Sequence, residues 1–289
     1  MQERTLGDIA VATRRAYDAG IAIIAANGNS SSFVSTSPAT ERLAIGVGGY
    51  EVKDEIAIER FSAGVTEDGR NKPDLIGPTN TETAGYDPYD PSVKLYIFPG
   101  TSGATPYIAG AASLISDWLR IGSQEARDAG QVYSVLMMSG DQPGPFTPAT
   151  RYGTGRMKLP PSGEAVFGKT WVSFNAPTVD IPIVIDNTSG PVTRIEAAIW
   201  WPEKTEMLGA VPIDTHSDVD LSLHEPGLFG GRVVASNGVG GVFEKISYEK
   251  LSGVSSGSWK LRIHGYSILR PPQVVYWSLR LRRAQVAIP

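Results

Sequence analysis

Residues 100–106 read Gly-Thr-Ser-Gly-Ala-Thr-Pro and open a stretch of small and apolar residues that extends to residue 119. Larger apolar residues recur within it, among them Ile108, Ile115 and Trp118. The pattern is apolar nearly all round, which predicts a helix buried in the middle of a domain. Pro106 falls in the first turn, where a missing N–H group costs little. We therefore expect Ser102 at the N-terminal end of a buried helix.

Upstream of this helix the sequence predicts an α/β sheet. Residues 6–19 carry apolar side chains at helical spacing, and Gly20 ends the pattern. Residues 21–26 and 43–47 are short apolar runs, typical of buried parallel strands. A helix, a glycine and a buried strand make one unit of an α/β sheet. A second helix is predicted over residues 124–138, whereas residues 61–99 indicate mostly turns.

Two polar positions are candidates for chemistry. Asn29 follows the strand at 21–26, and loops at the carboxyl ends of parallel strands build active sites in open α/β sheets. An asparagine amide is a neutral donor to a developing oxyanion. Ser102 would lie beside the free N–H groups and the positive dipole of a helix N-terminus. Taken singly, Ser102 also fits a helix N-cap and Asn29 a turn residue.

Together, these motifs resemble those of the subtilisin-like serine peptidases (subtilases). The resemblance covers roughly residues 5–160, and the motifs that carry it occur in the family's order: residues 26–29, 37–40, 72–78, 100–106 and 152–157. It implies an α/β domain with a parallel sheet and a buried central helix. It also implies a serine endopeptidase acting on polypeptide substrates, with Ser102 as the nucleophile and Asn29 in the oxyanion hole. No cofactor is required for such chemistry.

The general base of the family is missing from the expected part of the chain. In subtilases an aspartate and a histidine both precede the oxyanion asparagine and the nucleophile. The three histidines of this chain, His216, His224 and His264, all follow Ser102. We interpret them as ordinary strand or surface residues, with a relocated base as the alternative. Only 28 residues precede Asn29, which is too few for the strands, the aspartate and the histidine that the family places there.

We therefore expect this chain to be the C-terminal part of a subtilase, inactive alone. The missing N-terminal half, or a partner chain, would carry the aspartate and the histidine. A truncated gene, a split enzyme and a degenerate protein all fit, and the last would be a catalytically dead scaffold that binds a partner. The strand at 21–26 would lack a neighbour on one side, so we also expect self-association.

After residue 160 the sequence changes to short alternating segments at nearly regular intervals, which predict an antiparallel β-sandwich. Residues 218–227 resemble a hairpin of the jelly-roll-like prepeptidase C-terminal domains and proprotein-convertase P-domains. The predicted domains are residues 1–160 and 161–289. Asp218 and Asp220 suit either a calcium site or a strand edge, and metal binding with His216 and His224 stays open. We expect Trp200 and Trp201 to pack, one in the sandwich core and one on the neighbouring domain.

Composition excludes several classes. A net charge of −4 argues against a protein that coats nucleic acid, which needs a dominant basic surface. The absence of cysteine excludes disulfides, thiol catalysis and cysteine-ligated metals. No apolar run is long enough to span a bilayer, and the polar first residues do not form a signal peptide. The resemblance implies a secreted protein, so its export signal would lie outside this sequence.

Overall fold

The computed structural model describes most of the chain. The described residues are 8–30, 35–53, 56–57, 64–66, 69–85, 89–90, 92, 94–122, 128–141, 152–159, 165–203, 206–208, 211–213, 216–227, 230–236, 238 and 241–284. The predicted domain boundary between residues 160 and 161 lies outside them.

The first part of the chain is mixed α/β. Its elements are α1 (Asp8–Asp18), β1 (Ile23–Ala26), β2 (Ala44–Glu51), β3 (Ile56–Ala57), β4 (Gly64–Val65), β5 (Asn71–Lys72), β6 (Leu75–Thr79), β7 (Thr81–Ala84), β8 (Leu95–Phe98), α2 (Gly100–Gly122), α3 (Ala129–Ser139), β9 (Gly140–Asp141) and β10 (Arg156–Met157).

Only strands follow in the described residues of the second part. They are β11 (Ala165–Val172), β12 (Thr178–Ile185), β13 (Val192–Trp200), β14 (Glu206–Leu208), β15 (Val211–Ile213), β16 (Asp218–His224), β17 (Arg232–Ser236), β18 (Phe243–Glu249), β19 (Gly257–Ser267) and β20 (Gln273–Arg283).

The α/β part is built on one six-stranded sheet. Its order is β1-β2-β6-β10-β9, with β3 paired to β2. The pairs β1–β2, β2–β6 and β6–β10 are parallel, which confirms the predicted parallel sheet. Among the described residues β1 pairs with β2 alone, so it forms one edge of the sheet. The helix predicted to end at Gly20 is α1, which ends at Asp18, and Gly20 adopts a left-handed φ of 77° two residues later.

Helix α2 is buried on one side only, which corrects the prediction of a helix buried all round. The residues that pack on the sheet are apolar and buried: Ala104, Ile108, Ala111, Ala112 and Ile115. The exposed residues form a stripe on the opposite side: Ser102, Pro106, Tyr107, Gly110, Ser113, Leu114 and Asp117. Small residues in this stripe made the sequence look uniformly apolar, yet they lie in solvent.

Helix α3 is the layer that joins the two parts. It begins one residue after Asp128, whose side chain accepts a hydrogen bond from the N–H of Gly130 at 3.1 Å. All its residues are buried, and its contacts lie on α2 and on strands β11, β13, β18 and β20. Gly130 permits this packing, because a Cβ there would lie 2.2 Å from the Tyr276 ring. The predicted helix over residues 124–138 is confirmed from residue 129 onward, whereas residues 124–127 lie outside the described part of the chain.

The second part contains two four-stranded antiparallel sheets, ordered β11-β20-β13-β18 and β12-β19-β16-β17. Their facing side chains form one apolar core that includes Ile195, Leu221 and Trp259. The first of these sheets presents its other face to α3. The remaining described strands form three two-stranded sheets, β4–β5, β7–β8 and β14–β15.

The two adjacent tryptophans lie in different cores, as predicted. Trp201 belongs to the core between the two antiparallel sheets. Trp200 belongs to the core of the α/β part, with its ring centroid 4.9 Å from that of Tyr133 and 5.6 Å from that of Tyr17. Trp200 is the last residue of β13 and Trp201 follows it. Because successive side chains along a strand point to opposite faces, the two rings enter different layers. The apolar core around α3 therefore contains side chains from both parts.

Lys245 of β18 is buried where the two parts meet. Its Nζ donates to the carbonyl oxygens of Met138, at 3.1 Å, and of Gly140 at the end of α3. A cation at the C-terminus of a helix is favourable for the helix dipole. Burial nevertheless dominates and lowers the pKa of Lys245 to about 7, partly offset by the negative charge of Glu196.

This burial predicts a pH dependence of stability. The lysine pKa rises from about 7 in the folded chain to 10.5 in the unfolded chain, so the unfolded state binds more protons between these values. The contribution of Lys245 to the free energy of unfolding is therefore expected to increase from pH 7 to pH 10.5. Urea titrations across this range should show a smaller rise in Lys245→Met than in the parent chain. Lys250→Met, at an exposed position, is the control; equal slopes in all three proteins would contradict the expectation.

None of the described helices is both long enough and apolar enough to pass through a lipid bilayer.

Candidate active site

Thr101 holds the loop after β1 against the start of α2. Its backbone N–H donates to Asn29 Oδ1 at 2.9 Å, and its hydroxyl lies 3.0 Å from the same oxygen. The N–H of Gly28 donates to the Thr101 hydroxyl at 3.2 Å. These contacts join segments more than seventy residues apart in sequence. These contacts hold the Asn29 side chain through its Oδ1 atom. They do not use the hydrogens on its Nδ2 atom.

Gly100 makes this approach possible. Its φ is 77°, and a Cβ there would lie 2.7 Å from Asn29 Nδ2. The hydroxyl of Thr79 at the end of β6 donates to the Gly100 carbonyl at 2.7 Å and fixes the turn to the sheet. The Asn29 amide therefore lies over the backbone that immediately precedes Ser102.

Ser102 is exposed in the first turn of α2. The N–H on either side of it is bound: that of Thr101 to Asn29, and that of Gly103 to the Pro99 carbonyl at 3.3 Å. The Ser102 N–H lies between them, where a helix provides no intrahelical acceptor. The structure thus places the Ser102 hydroxyl, a first-turn N–H and the Asn29 amide at one end of α2.

The sheet beneath the site is fixed by a buried ion pair. Lys72 Nζ lies 2.5 Å from Asp74 Oδ2, and the same oxygen accepts the N–H of Gly46 in β2 at 2.7 Å. A buried pair of this kind needs such additional hydrogen bonds to offset its desolvation. The pair belongs to residues 72–78, one of the motifs that resemble those of subtilases. Its burial and its bond to β2 indicate that it stabilises the sheet.

The three histidines are bonded within the β-rich part. His216 Nδ1 lies 2.9 Å from Glu203 Oε2, His224 Nε2 lies 3.1 Å from Ser222 Oγ, and His264 Nδ1 lies 2.7 Å from Thr178 Oγ1. His224 and His264 belong to the sheet β12-β19-β16-β17, whereas α3 packs on the other antiparallel sheet. The pairings support the interpretation of these histidines as structural residues.

Asp218 and Asp220 both point away from the core on β16, whose buried residues are Val219, Leu221 and Leu223. Partial burial raises the pKa of both carboxyl groups, and Asp220 adds to the rise at Asp218. Within the described part of the chain, no three acidic or histidine side chains are grouped as metal ligands. The calcium hypothesis gains no geometric support from these residues.

Residues 2–155 match the family model described as the subtilase family. The chain belongs to the subtilase family. The match includes the loop of Asn29 and the start of α2, and it ends one residue before β10. It ends before the first strand of the β-rich part, so it concerns the α/β part of this subtilase alone.

Solved structures similar to this subtilase include three proteases. The prenylagaramide maturation protease PagA has 21% sequence identity and a TM-score of 0.45, covering 55% of this chain and 56% of that one. The self-cleaved protease domain of PatA has 23% identity and a TM-score of 0.43, covering 53% of each chain. A lanthipeptide protease has 18% identity and a TM-score of 0.43, covering 52% of each. This subtilase spans about half the length of the structures it matches.

Thr101 is a functional residue that the sequence alone does not reveal. Within the Gly-Thr-Ser motif its position indicates no contribution beyond that of the adjacent Ser102. The threonine hydroxyl next to the candidate nucleophile was the available signal, since such side chains commonly bond to nearby loop backbone. Its partner on a distant loop becomes visible only in the folded subtilase.

Proposed function

We propose that this subtilase chain supplies the nucleophile and the oxyanion hole of a serine endopeptidase. Ser102 is the nucleophile, and Asn29 Nδ2 with the Ser102 N–H are the oxyanion donors. The observation that carries the proposal is the anchoring of the Asn29 amide by Thr101, one residue before the exposed Ser102. It provides preorganised donors beside a hydroxyl at a helix N-terminus.

The proposed reaction is acyl transfer. Ser102 Oγ attacks the carbonyl carbon of a peptide bond while its proton passes to a general base, and the carbonyl oxygen becomes an oxyanion. Asn29 Nδ2 and the Ser102 N–H donate to that oxygen. Collapse of the intermediate breaks the C–N bond, and the base returns the proton to the leaving amine. Water then hydrolyses the acyl ester by the same route and frees Ser102.

We propose that the general base and its aspartate come from polypeptide outside these 289 residues, either an N-terminal half or a partner chain. All three histidines of this sequence lie in the β-rich part, where each contacts a side chain of that part. We therefore do not assign any of them as the general base for Ser102. An unassisted serine hydroxyl is a weak nucleophile at neutral pH. Among the described strands β1 is an edge of the sheet, so additional polypeptide has room to pair with it.

The β-rich part is proposed as an accessory β-sandwich of the jelly-roll type. Two antiparallel sheets with a shared apolar core support this proposal. We also propose that the protein is exported, as the resemblance to subtilases implies.

A fluorophosphonate probe tests the catalytic proposal, because it forms a covalent bond with an activated serine. The 289-residue chain is compared with the longest in-frame translation that contains it, provided that the extension carries an aspartate and a histidine. We expect labelling of the longer protein, loss of that labelling in Ser102→Ala, and retention in Ser113→Ala, an exposed serine on the same stripe. Mass spectrometry of the labelled peptide identifies the site.

The second candidate function is a catalytically dead scaffold that binds a partner, which the placement of the three histidines favours. An extension without an aspartate and a histidine, together with an unlabelled Ser102, would support the scaffold. Labelling in which Ser102→Ala has no effect would refute the assignment of the nucleophile.

A further inference from the structure

The hairpin β7–β8 leads directly into the candidate active site. Strand β8 ends at Phe98, and Ser102 follows four residues later. The junction is tight: the Pro99 carbonyl accepts the Gly103 N–H, and a Cβ on Gly103 would lie 2.2 Å from the Phe98 carbonyl oxygen. The position of β8 is thus fixed relative to the first turn of α2.

One face of this hairpin is aromatic. Thr81 pairs with Phe98 and Thr83 with Tyr96, and residues paired across antiparallel strands project to the same face. The hydroxyl of Tyr107 on α2 lies 2.7 Å from Thr81 Oγ1, which places a third aromatic residue at this face. We name Tyr96, Phe98 and Tyr107 the aromatic shelf.

The shelf is accessible. Tyr96 is 60% exposed, Tyr107 46% and Phe98 41%. Tyr107 belongs to the same exposed stripe of α2 as Ser102. Clustered exposed apolar surface marks binding sites, and aromatic side chains provide large rigid contact areas there. The positions paired with Phe98 and Tyr96 are the uncharged Thr81 and Thr83, whereas Glu82 pairs with Ile97 on the other face.

We propose that the aromatic shelf binds an uncharged apolar side chain of the peptide substrate and so sets substrate preference. The assignment to the substrate rests on the proposed function, because the shelf is continuous with the turn that carries Ser102. An acidic or basic side chain would lose hydration against the three rings, and Thr81 and Thr83 offer it no charge in return. Tyr107 contributes its ring and, through Thr81, positions the hairpin against α2.

The test uses the full chain with Ser102→Ala, so that binding is measured without acylation. Two dye-labelled, end-blocked hexapeptides of equal length serve as probes, one with Leu-Phe-Leu at its centre and one with Ser-Asn-Ser. Fluorescence anisotropy should show tighter binding of the apolar peptide, and Tyr96→Ser should weaken it roughly tenfold. Leu95→Ser is the matched control, since Leu95 is 61% exposed on the same strand but faces the other way.

The outcomes separate this proposal from the catalytic one. Equal losses in Tyr96→Ser and Leu95→Ser, or no preference for the apolar peptide, would overturn the shelf. Selective binding that depends on Tyr96, in a protein whose Ser102 is never labelled, would support the shelf as a binding surface while the catalytic proposal fails. Thermal unfolding of each variant checks that the fold is retained. In Tyr107→Phe the ring is kept and the bond to Thr81 lost, so a smaller loss is expected.

Discussion

Replacement of Asn29 by alanine is expected to slow acylation of Ser102 by roughly 10²- to 10³-fold, the loss known for removal of an oxyanion donor from subtilisin. The Asn29 amide is held through its oxygen by Thr101, so its Nδ2 hydrogens are available to the developing oxyanion without reorganisation. Because this charge exists only near the transition state, kcat should fall while KM changes little. The measurement is hydrolysis of a fluorogenic peptide by the protein that includes the proposed general base.

Three further variants isolate the cause. Ser30→Ala, at the next residue of the same exposed loop, should retain activity. Thr101→Val removes the hydroxyl near Asn29 Oδ1 but leaves the backbone donor, so the amide is less well positioned and a loss of about tenfold is expected. Thr101→Ser restores the hydroxyl and should recover most of the rate. Comparable losses for Asn29→Ala and Ser30→Ala would show that the loop, and not the amide, is responsible.

The elements around this site could be predicted because their sequences carry strong local signals. Short apolar runs predicted β1 and β2. The alternating segments 181–185, 194–199, 218–223, 232–236, 259–264 and 274–281 predicted β12, β13, β16, β17, β19 and β20, with ends within three residues of those observed. The convergence of Asn29 and Ser102 followed from the family's motifs, since no periodicity relates residues so far apart. The anchoring by Thr101 depends on tertiary contact and could not be read from spacing.

Three features differ from the sequence-based predictions for physical reasons: the hairpin β7–β8, strand β11 and the burial of helix α2. The hairpin β7–β8 lies in a region predicted as turns, because all of β8 is exposed and the apolar and polar alternation of a half-buried strand is absent. Strand β11 is not predicted because Gly168 interrupts its alternation of apolar and polar side chains. The structure requires this glycine, since a Cβ there would lie 2.7 Å from the Trp277 ring. Helix α2 is rich in small and apolar residues, which predicts burial on all sides. Composition does not reveal which neighbouring elements cover each side, and in the structure one side is exposed.

The junction between the two parts shows most clearly what the sequence could not reveal. Trp200 comes from β13 of the β-rich part, yet its ring packs among Tyr17 of α1, Tyr133 of α3 and Tyr276 of β20. It is 1% exposed. The apolar core around it combines both parts, so opening the junction exposes apolar surface on each side. The two parts are therefore expected to depend on each other for stability.

Trp200→Ala is expected to lower the free energy of unfolding by about 3–5 kcal/mol, the range for loss of a large buried aromatic side chain. The chain provides separate probes for the two parts. All described helices lie in the α/β part, so circular dichroism at 222 nm reports mainly on that part. Of the six tryptophans only Trp118 lies outside the β-rich part, so fluorescence reports mainly on the latter. Both urea transitions should shift together.

Trp171→Ala provides the matched control, because Trp171 lies on β11 of the same sheet but is 53% exposed. It should cost much less, since most surface substitutions change stability little. If Trp200→Ala shifted the fluorescence transition while the dichroism transition stayed in place, the β-rich part would unfold on its own and the shared core would add little to the α/β part. A joint shift would mean that this β-rich part is required for the stability of the fold that holds Asn29 against the turn of Ser102.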